Sequence, residues 1–226
     1  MTQARRGKFT YARHAASPEE GRDVLRNPSY GANVPSATAA APARVGLTAA
    51  LLATCAAFFF AGSADGGARA WNAYLAPASS CNGSTDAAAS AVVQRRAVAC
   101  LINWARKRDR RAKLSPSNSL ARAAGMKGQK VASCGQFSHT PCGSDLTGPL
   151  EASGYPYASF GENLFVGTWG AVSARDVVAA WLQSAGHREN ILRPSFRDVG
   201  AASVRAQGIL GGGAEVVWVT TFGSQR

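Results

Sequence analysis

The chain has 226 residues, of which 46% are hydrophobic and 17% are charged. This composition is that of an ordinary globular protein and excludes a fibrous or fully disordered chain, and the length predicts one domain with extensions. The formal net charge is +12, from 25 Lys and Arg against 13 Asp and Glu. Such a charge favours anionic partners, but it determines neither fold nor chemistry.

The first part of the chain predicts export. An uncharged apolar run spans residues 45–61 and follows Arg44, as in a signal segment. Residues 1–44 are rich in Arg, Pro, Ala and Ser and show no periodicity, so we expect them to be a disordered basic leader. We assign residues 45–70 to a signal peptide or signal anchor, and residues 71–226 to the exported domain.

The fate of the apolar run stays open. The small-x-small tripeptide Ala68-Arg69-Ala70 predicts cleavage before Trp71, and residues 61–64 offer a second site. If uncleaved, residues 45–61 would form a short membrane anchor, at the lower length limit of a span. The remaining alternatives are a buried core helix and translation that begins further in.

Four cysteines follow the apolar run: Cys81, Cys100, Cys134 and Cys142. In an oxidising compartment they predict two disulfides, for which three pairings exist. We prefer Cys81–Cys100 and Cys134–Cys142, because each pair closes a short loop. No C-x-x-C spacing is present, which argues against a tetracysteine zinc site.

The exported part is predicted to start with a loop, from Trp71 to Gly83, and to continue with a helix. Ser84-Thr85-Asp86 resembles a helix cap, and apolar residues then recur every three to four positions. We expect this helix to run to about Arg111. Its apolar stripe consists of Val93, Ala97, Leu101 and Trp104.

A second helix is predicted from Leu120 to Ala132, although Gly125 and Gly128 weaken it. A loop follows from Cys134 to Pro149, and residues 150–153 fit one helical turn.

A short strand and a third helix come next. The strand is predicted over Gly161 to Val166. Ser173 and Asp176 form a capping box for a helix that buries Trp181 and ends at Gly186.

The chain is predicted to close with a turn from His187 to Leu192 and two strands. The strands are Val199–Arg205 and Glu215–Phe222, joined through Gly211-Gly212-Gly213. Helices first and antiparallel strands last indicate an α+β domain with helices packed on a mostly antiparallel sheet.

Three side chains are candidates for chemistry: His139, Glu162 and His187. His14 lies in the leader, so His139 and His187 are the two histidines of the exported domain. Both are predicted to lie in loops beside glycine. Imidazole and carboxylate groups together bind divalent metals or transfer protons. Spacing alone leaves open whether the three share a cleft or whether each histidine only bonds to loop backbone. No G-x-S-x-G motif supports a serine nucleophile.

The basic run at residues 106–111 is predicted to be a solvated face at a helix end, where cations are favoured. An exported protein is not expected to bind nucleic acid through it. The same residues would hold the protein on anionic wall polymer or on a membrane surface.

Four blocks, in order, carry a family resemblance. They are F-S-H-T at residues 137–140, G-E-N-L at 161–164, W-L-Q-S-A-G-H-R-E-N-I-L at 181–192 and W-V-T-T-F-G at 218–223. Together they resemble the bacterial branch of the CAP (or SCP) superfamily, which comprises cysteine-rich secretory proteins, antigen 5 and pathogenesis-related proteins. The resemblance covers about Cys100 to Phe222. It implies a three-layer α-β-α sandwich, an extracellular location and a central cleft, with the domain core at about residues 92–223.

The resemblance also implies a partial metal site. Family members can hold a divalent metal with two histidines and two glutamates, and His139 and Glu162 match the first histidine and the glutamate of the G-E-N motif. Ser184 stands where a second glutamate is expected, and an apolar residue near Val217 stands where the last histidine is expected. His187, in the bacterial G-H-R motif, would supply the missing imidazole. We therefore expect at most weak binding of a metal such as zinc, and no required cofactor.

Family members act in varied ways, so the fold leaves the function open. Our first hypothesis is a secreted or membrane-anchored, non-enzymatic module that binds a lipid, glycan or cell-envelope ligand. The ligand-contacting residues would be His139, Glu162, Asn163, His187 and Arg188. Trp181 and Phe137 would give apolar support, or would simply belong to the core.

Two alternatives are kept. A metal-assisted hydrolase of peptide or ester bonds would use Glu162 as general base and the histidines as ligands or proton shuttles. A structural envelope protein would be held by its basic faces, with salt-sensitive adhesion. The sequence leaves the oligomeric state open.

Overall fold

The computed structural model describes residues 70–226. The predictions for residues 1–69, which are the leader, the apolar run and most of the cleavage region, lie outside the described residues. Within residues 70–226, no helix is both long enough and apolar enough to cross a membrane.

The described residues contain both helices and strands. The helices are α1 (Ala91–Arg108), α2 (Asn118–Cys134), α3 (Gly148–Ala152), α4 (Ala174–Gln183) and α5 (Ala185–Leu192). The strands are β1 (Ser115–Pro116), β2 (Tyr157–Thr168), β3 (Asp198–Gln207) and β4 (Ala214–Gln225). Short 3-10 turns occur at Ala78–Ser80 and Pro141–Gly143.

The strands form one sheet in the order β1-β3-β4-β2. β4 pairs antiparallel with both β2 and β3, and only the two-residue β1 is parallel to its neighbour. The prediction of a mostly antiparallel sheet is confirmed. β2 lies at one edge, and its residues Glu162 and Asn163 pair with Thr221 and Thr220.

Helices cover both faces of the sheet, which confirms the three-layer sandwich. α2 packs on β3 and β4, with Val131 against Val217 and Val219. α1 and α4 pack on the opposite face, where Leu101 and Trp181 share a core with Trp218 and Phe222. Successive residues of β4 therefore enter different cores, as the two-residue period of a strand requires.

Two glycines allow α2 to lie close to the sheet. A Cβ at Gly200 on β3 would come within 2.1 Å of the Ala121 backbone nitrogen, and a Cβ at Gly128 would lie 2.7 Å from Cγ2 of Val204. Gly128 lowers the intrinsic stability of the helix, and the close contact with β3 is the reason for its presence.

Both preferred disulfides are present. Cys81–Cys100 joins the amino-terminal segment to α1, with Cα atoms 5.7 Å apart. Cys134–Cys142, with Cα atoms 5.9 Å apart, closes the segment that carries His139.

The first helix is shorter than predicted. It begins at Ala91 after an N-cap at Ser90, whose hydroxyl accepts a hydrogen bond from the Val93 amide. The carboxylate of Asp86 instead accepts the amide of Ala88 and stabilises a turn. The helix ends at Arg108 rather than at about Arg111.

The prediction of a turn from His187 to Leu192 is wrong, because these residues belong to α5. The capping box of Ser173 and Asp176 at the start of α4 is confirmed. Ser184 has an extended backbone that ends α4, and the chain starts a new helix at Ala185, so Gly186 lies inside a helix and does not end one. His187 is thus on a helix and not in a loop.

Strands β2, β3 and β4 are each longer than predicted. The backbone pairing of β4 with β2 and with β3 continues beyond the apolar centres of these strands. β2, predicted over six residues, pairs with β4 from Tyr157 to Thr168.

Arg106 is not part of a solvated basic face. Its side chain is fully buried, and its guanidinium donates to the backbone carbonyls of Ala112 at 2.7 Å, Ile191 at 2.7 Å and Arg193 at 3.0 Å. Burial, together with the charges of Arg197 and Arg111, lowers its pKa to about 10. Arg106 therefore joins the end of α1 to the connection between α5 and β3.

We expect Arg106→Met to lower the free energy of unfolding by at least about 3 kcal/mol, because several buried carbonyls lose their donor. Arg95→Met, at an exposed position of the same helix, should change it by less than about 0.5 kcal/mol. Urea unfolding followed by circular dichroism measures both. Equal effects of the two substitutions would contradict the structural role of Arg106.

Candidate functional site

The site is built around Glu162, at the start of the apolar half of β2. Side chains alternate along this edge strand: Leu164 and Val166 point into the core under α2, whereas Phe165 packs with the opposite core. Glu162 lies two residues before Leu164, so its side chain points to the same face of the sheet. There it contacts Lys127 of α2. Asn163 points to the other face and meets α5.

Glu162 lies between a lysine and a histidine. Its Oε1 is 2.8 Å from Nδ1 of His139 and 3.6 Å from Nζ of Lys127. The side chains of Lys127 and Glu162 are 1% and 8% exposed, whereas that of His139 is 28% exposed. The Lys127 ammonium also donates to the backbone carbonyl of His139. A buried ion pair thus holds a partly accessible imidazole.

The ion pair determines the orientation of the His139 ring. An ionised carboxylate only accepts hydrogen bonds, so the proton lies on Nδ1 and the neutral ring presents a lone pair at Nε2. Nε2 has no partner among residues 70–226 and is not among the buried unpaired atoms. It is therefore accessible as an acceptor when the ring is neutral, and as a donor when it is protonated.

A second network attaches α5 to the same strand. The amide of Asn163 donates to the backbone carbonyl of His187 at 3.0 Å. Asn190 donates to Oδ1 of Asn163 at 2.9 Å and to the backbone carbonyl of Glu162 at 3.2 Å. Gly161 leaves room for this contact, since a Cβ there would lie 2.7 Å from Oδ1 of Asn190. The G-E-N motif is thereby joined to the helix that carries His187.

His187 is held as a neutral imidazole. Its Nδ1 lies 2.9 Å from the hydroxyl of Ser184. Burial, together with the charge of His139, lowers its pKa to about 4. The structure thus joins His139 directly to Glu162, and links the helix that carries His187 to the same strand through Asn163 and Asn190.

The described residues do not form the metal-ligand set that the family resemblance implies. Among residues 70–226, no three His, Cys, Asp or Glu side chains are grouped so that they could hold a metal ion. The Glu162 carboxylate already has a buried ammonium as its counter-ion, and a second cation there would be repelled. The residues present do not fit a metal centre.

The other predicted residues have different roles. Asn163 is fully buried, so it positions α5 and does not face a ligand. Arg188 donates to the carbonyls of Leu182 and Gln183 at 2.8 and 3.3 Å, and its guanidinium lies 4.1 Å from the centre of the Trp71 ring.

The two aromatic candidates differ. Trp181 is a core residue, 1% exposed, and its indole nitrogen donates to the carbonyl of Leu164. Phe137 is 40% exposed beside the segment that carries His139. Of the two, only Phe137 is available to support a ligand.

Sequence reasoning missed Lys127 and Asn190. A signal for Lys127 existed, because Leu120, Ala124 and Val131 recur at helical spacing and place Lys127 on the buried face of α2. A lysine on an apolar stripe requires a buried partner. Nothing in the spacing of Asn190 distinguishes it from a surface residue.

Comparisons with known proteins agree with this architecture. A family model, described as "CAP: Cysteine-rich secretory protein family", matches residues 100–222. The uncharacterized protein YkwD of Bacillus subtilis is 30% identical over 135 residues, which are 59% of this chain and 51% of that protein. The chain thus spans about half the length of this curated relative.

A solved structure shares this fold. An extracellular protein with an SCP domain from Bacillus anthracis superposes with a TM-score of 0.50 at 20% identity, over 60% of this chain and 41% of that one. A cysteine-rich secretory protein from Staphylococcus aureus gives a TM-score of 0.48 at 18% identity, over 61% of this chain and 40% of that one. The family match covers more than half of the chain and includes both halves of the His139–Glu162 pair: the chain belongs to the CAP, or cysteine-rich secretory protein, family.

Proposed function

We propose that this protein is an exported, non-enzymatic binding module that takes a hydroxyl-bearing lipid, glycan or cell-envelope ligand at the cleft of His139, Glu162 and His187. The observation that carries the proposal is the Lys127–Glu162–His139 arrangement. It neutralises the carboxylate internally and leaves one imidazole nitrogen accessible.

The arrangement suits binding better than catalysis. The Glu162 carboxylate is already engaged by the Lys127 ammonium and by the His139 ring, which leaves it poorly placed to take a proton from a substrate. Its hydrogen bond to His139 orients the ring, and Nε2 is then suited to accept a hydrogen bond from a ligand hydroxyl. His187, whose pKa is lowered by burial, provides a second imidazole on the helix that Asn163 holds. Phe137, exposed beside His139, offers an apolar surface.

Export is supported by three observations. The described residues contain two disulfides, which persist in oxidising compartments. The solved relatives include a protein described as extracellular. The apolar run at residues 45–61 has the composition of a signal segment.

The metal-assisted hydrolase receives less support. It requires a cation beside Glu162, where the Lys127 ammonium already lies 3.6 Å away. A calorimetric zinc titration of the full chain should give no heat that depends on His139. Heat that is lost on His139→Ala would favour the hydrolase over the binding module.

A double-mutant cycle tests the buried ion pair. We expect Lys127→Met to lower the free energy of unfolding by about 3 kcal/mol, because Glu162 is then a buried charge without its ammonium. In the Glu162→Gln background the same substitution should cost clearly less. Urea unfolding of the four proteins gives the coupling, and additive effects would show that Lys127 and Glu162 do not interact.

Ligand binding at His139 is tested by NMR of the imidazole C–H signals in the full-length protein. The probes are tetra-N-acetylglucosamine, as a glycan, and lysophosphatidylglycerol, as a lipid. At least one should shift the signals of His139 and His187, and its affinity should fall about tenfold in His139→Ala, the effect of one lost hydrogen bond.

Thr140→Ala is the matched control, since Thr140 is exposed beside His139 and its side chain has no hydrogen bond within residues 70–226. Its affinity for the same probe should stay unchanged. If neither probe affects either imidazole, the proposed function fails.

The depressed pKa of His187 predicts a pH dependence of stability. The ordinary pKa of histidine is 6.5 and that of folded His187 is about 4, so between these values the unfolded chain binds a proton at His187 that the folded chain does not. The free energy of unfolding should therefore fall as the pH is lowered from about 6.5 to about 4. His187→Gln should remove that part of the slope, whereas Thr140→Ala should retain it. Identical slopes for wild type and His187→Gln in urea unfolding would contradict a neutral, buried imidazole.

A further inference from the structure

A cavity lies at the carboxyl end of α1, built from residues that the His139 site does not use. Its volume is about 450 Å³, and it is lined by Tyr74, Trp104, Lys107, Arg108 and Arg110. Ligand pockets commonly have volumes of roughly 300–1,000 Å³. The lining combines two half-buried aromatic rings with three exposed cations.

The three cations have no acidic partner among residues 70–226. The acid nearest in sequence, Asp109, is already engaged, since its Oδ2 is 2.8 Å from Nε of Arg111 and its Oδ1 accepts from the Tyr74 hydroxyl at 3.4 Å. Lys107 and Arg108 lie in the last turn of α1, where the helix dipole favours cations. The helix dipole does not explain why a cation is present at Arg110, because this residue lies beyond the end of the helix.

Arg110 occupies a position that disfavours its residue type. The amide of Arg110 bonds to the carbonyl of Lys107 at 3.1 Å, and that of Arg111 bonds to the carbonyl of Arg106 at 2.8 Å. This is the Schellman pattern, in which the residue after the C-cap is usually glycine. Arg110 has a φ of 55°, in the left-handed region that side chains disfavour. An arginine here weakens the fold slightly while adding a third cation to the cavity.

The aromatic rings continue beyond the cavity. The Tyr74 ring lies 4.9 Å from that of Trp71, centre to centre, and Trp71 carries the Arg188 guanidinium on its face. Flat aromatic faces pack against the apolar face of a sugar ring, and guanidinium and ammonium groups bind phosphate or carboxylate.

We propose that this cavity binds an acidic polysaccharide, through sugar rings placed on Trp104 and Tyr74 and phosphate or carboxylate groups placed on Lys107, Arg108 and Arg110. A membrane surface fits less well, because none of the large exposed hydrophobic residues of the described part (Val92, Phe137, Trp169, Leu210) lines the cavity. This inference does not depend on the function proposed for the His139 cleft.

The test measures binding of the full-length protein to a phosphorylated mannan and to hexagalacturonate, with unmodified mannan as the neutral probe. We expect the two acidic glycans to bind and the neutral one to bind at least about tenfold more weakly, as charge-assisted recognition requires. The double variant Lys107→Gln/Arg110→Gln should lose about tenfold in affinity.

Arg95→Gln/Arg96→Gln is the matched control, because it removes the same charge from exposed positions of the same helix. It should change the affinity less than about twofold, an effect of long-range charge alone. Equal losses in both double variants would overturn the proposed site, since net charge would then explain the binding.

Arg110→Gly separates stability from binding. It should raise the melting temperature, because glycine suits the left-handed position, and it should lower the affinity for the phosphorylated mannan. Unchanged affinity would show that Arg110 takes no part. Tighter binding of oligo(dT) or of phosphatidylglycerol vesicles than of either acidic glycan, lost in Lys107→Gln/Arg110→Gln, would overturn the assigned ligand class.

Discussion

The alternation of side chains along β2 is the constraint on which the site depends. Glu162 and Asn163 are adjacent in the chain and point to opposite faces of the edge strand. Each meets a different helical layer: Glu162 forms its ion pair with α2, and Asn163 holds α5. Two short side chains thereby bring together residues from both sides of the sandwich. A shift of one residue in the register of β2 would exchange the two faces, and neither layer would keep its partner.

Much of the architecture could be predicted from the sequence, because it follows from local patterns. The apolar stripes of the helices, the capping box at Ser173 and the glycine-rich link between the last two strands each determine local structure, and all are found. Both disulfide pairings were preferred on loop length and are present. The errors concern where helices begin and end, which apolar spacing does not determine. Ser184 ends α4 and precedes α5, so Gly186 does not end a helix.

The site was predictable only in part. Its three central residues were found by chemistry and family resemblance, but spacing carried no information on their distances. The burial of the charged residues in the interior was not predicted. Arg106 is predicted to lie on a solvated helix face and Lys127 is given no role, yet both are buried, one among backbone carbonyls and one beside Glu162. The partners of these two cations lie on distant parts of the chain. They become visible only in three dimensions.

The bond between Cys134 and Cys142 has a consequence for when the site is complete. His139 lies inside the segment that this bond closes, whereas Glu162 is held by the backbone pairing of β2 with β4. In a reducing compartment the carboxylate would keep its place, but the chain around the imidazole would lose its covalent restraint. The two halves of the cleft thus have different chemical requirements. Under the proposed function, oxidation after export would complete the binding surface in the compartment where an envelope ligand would be bound.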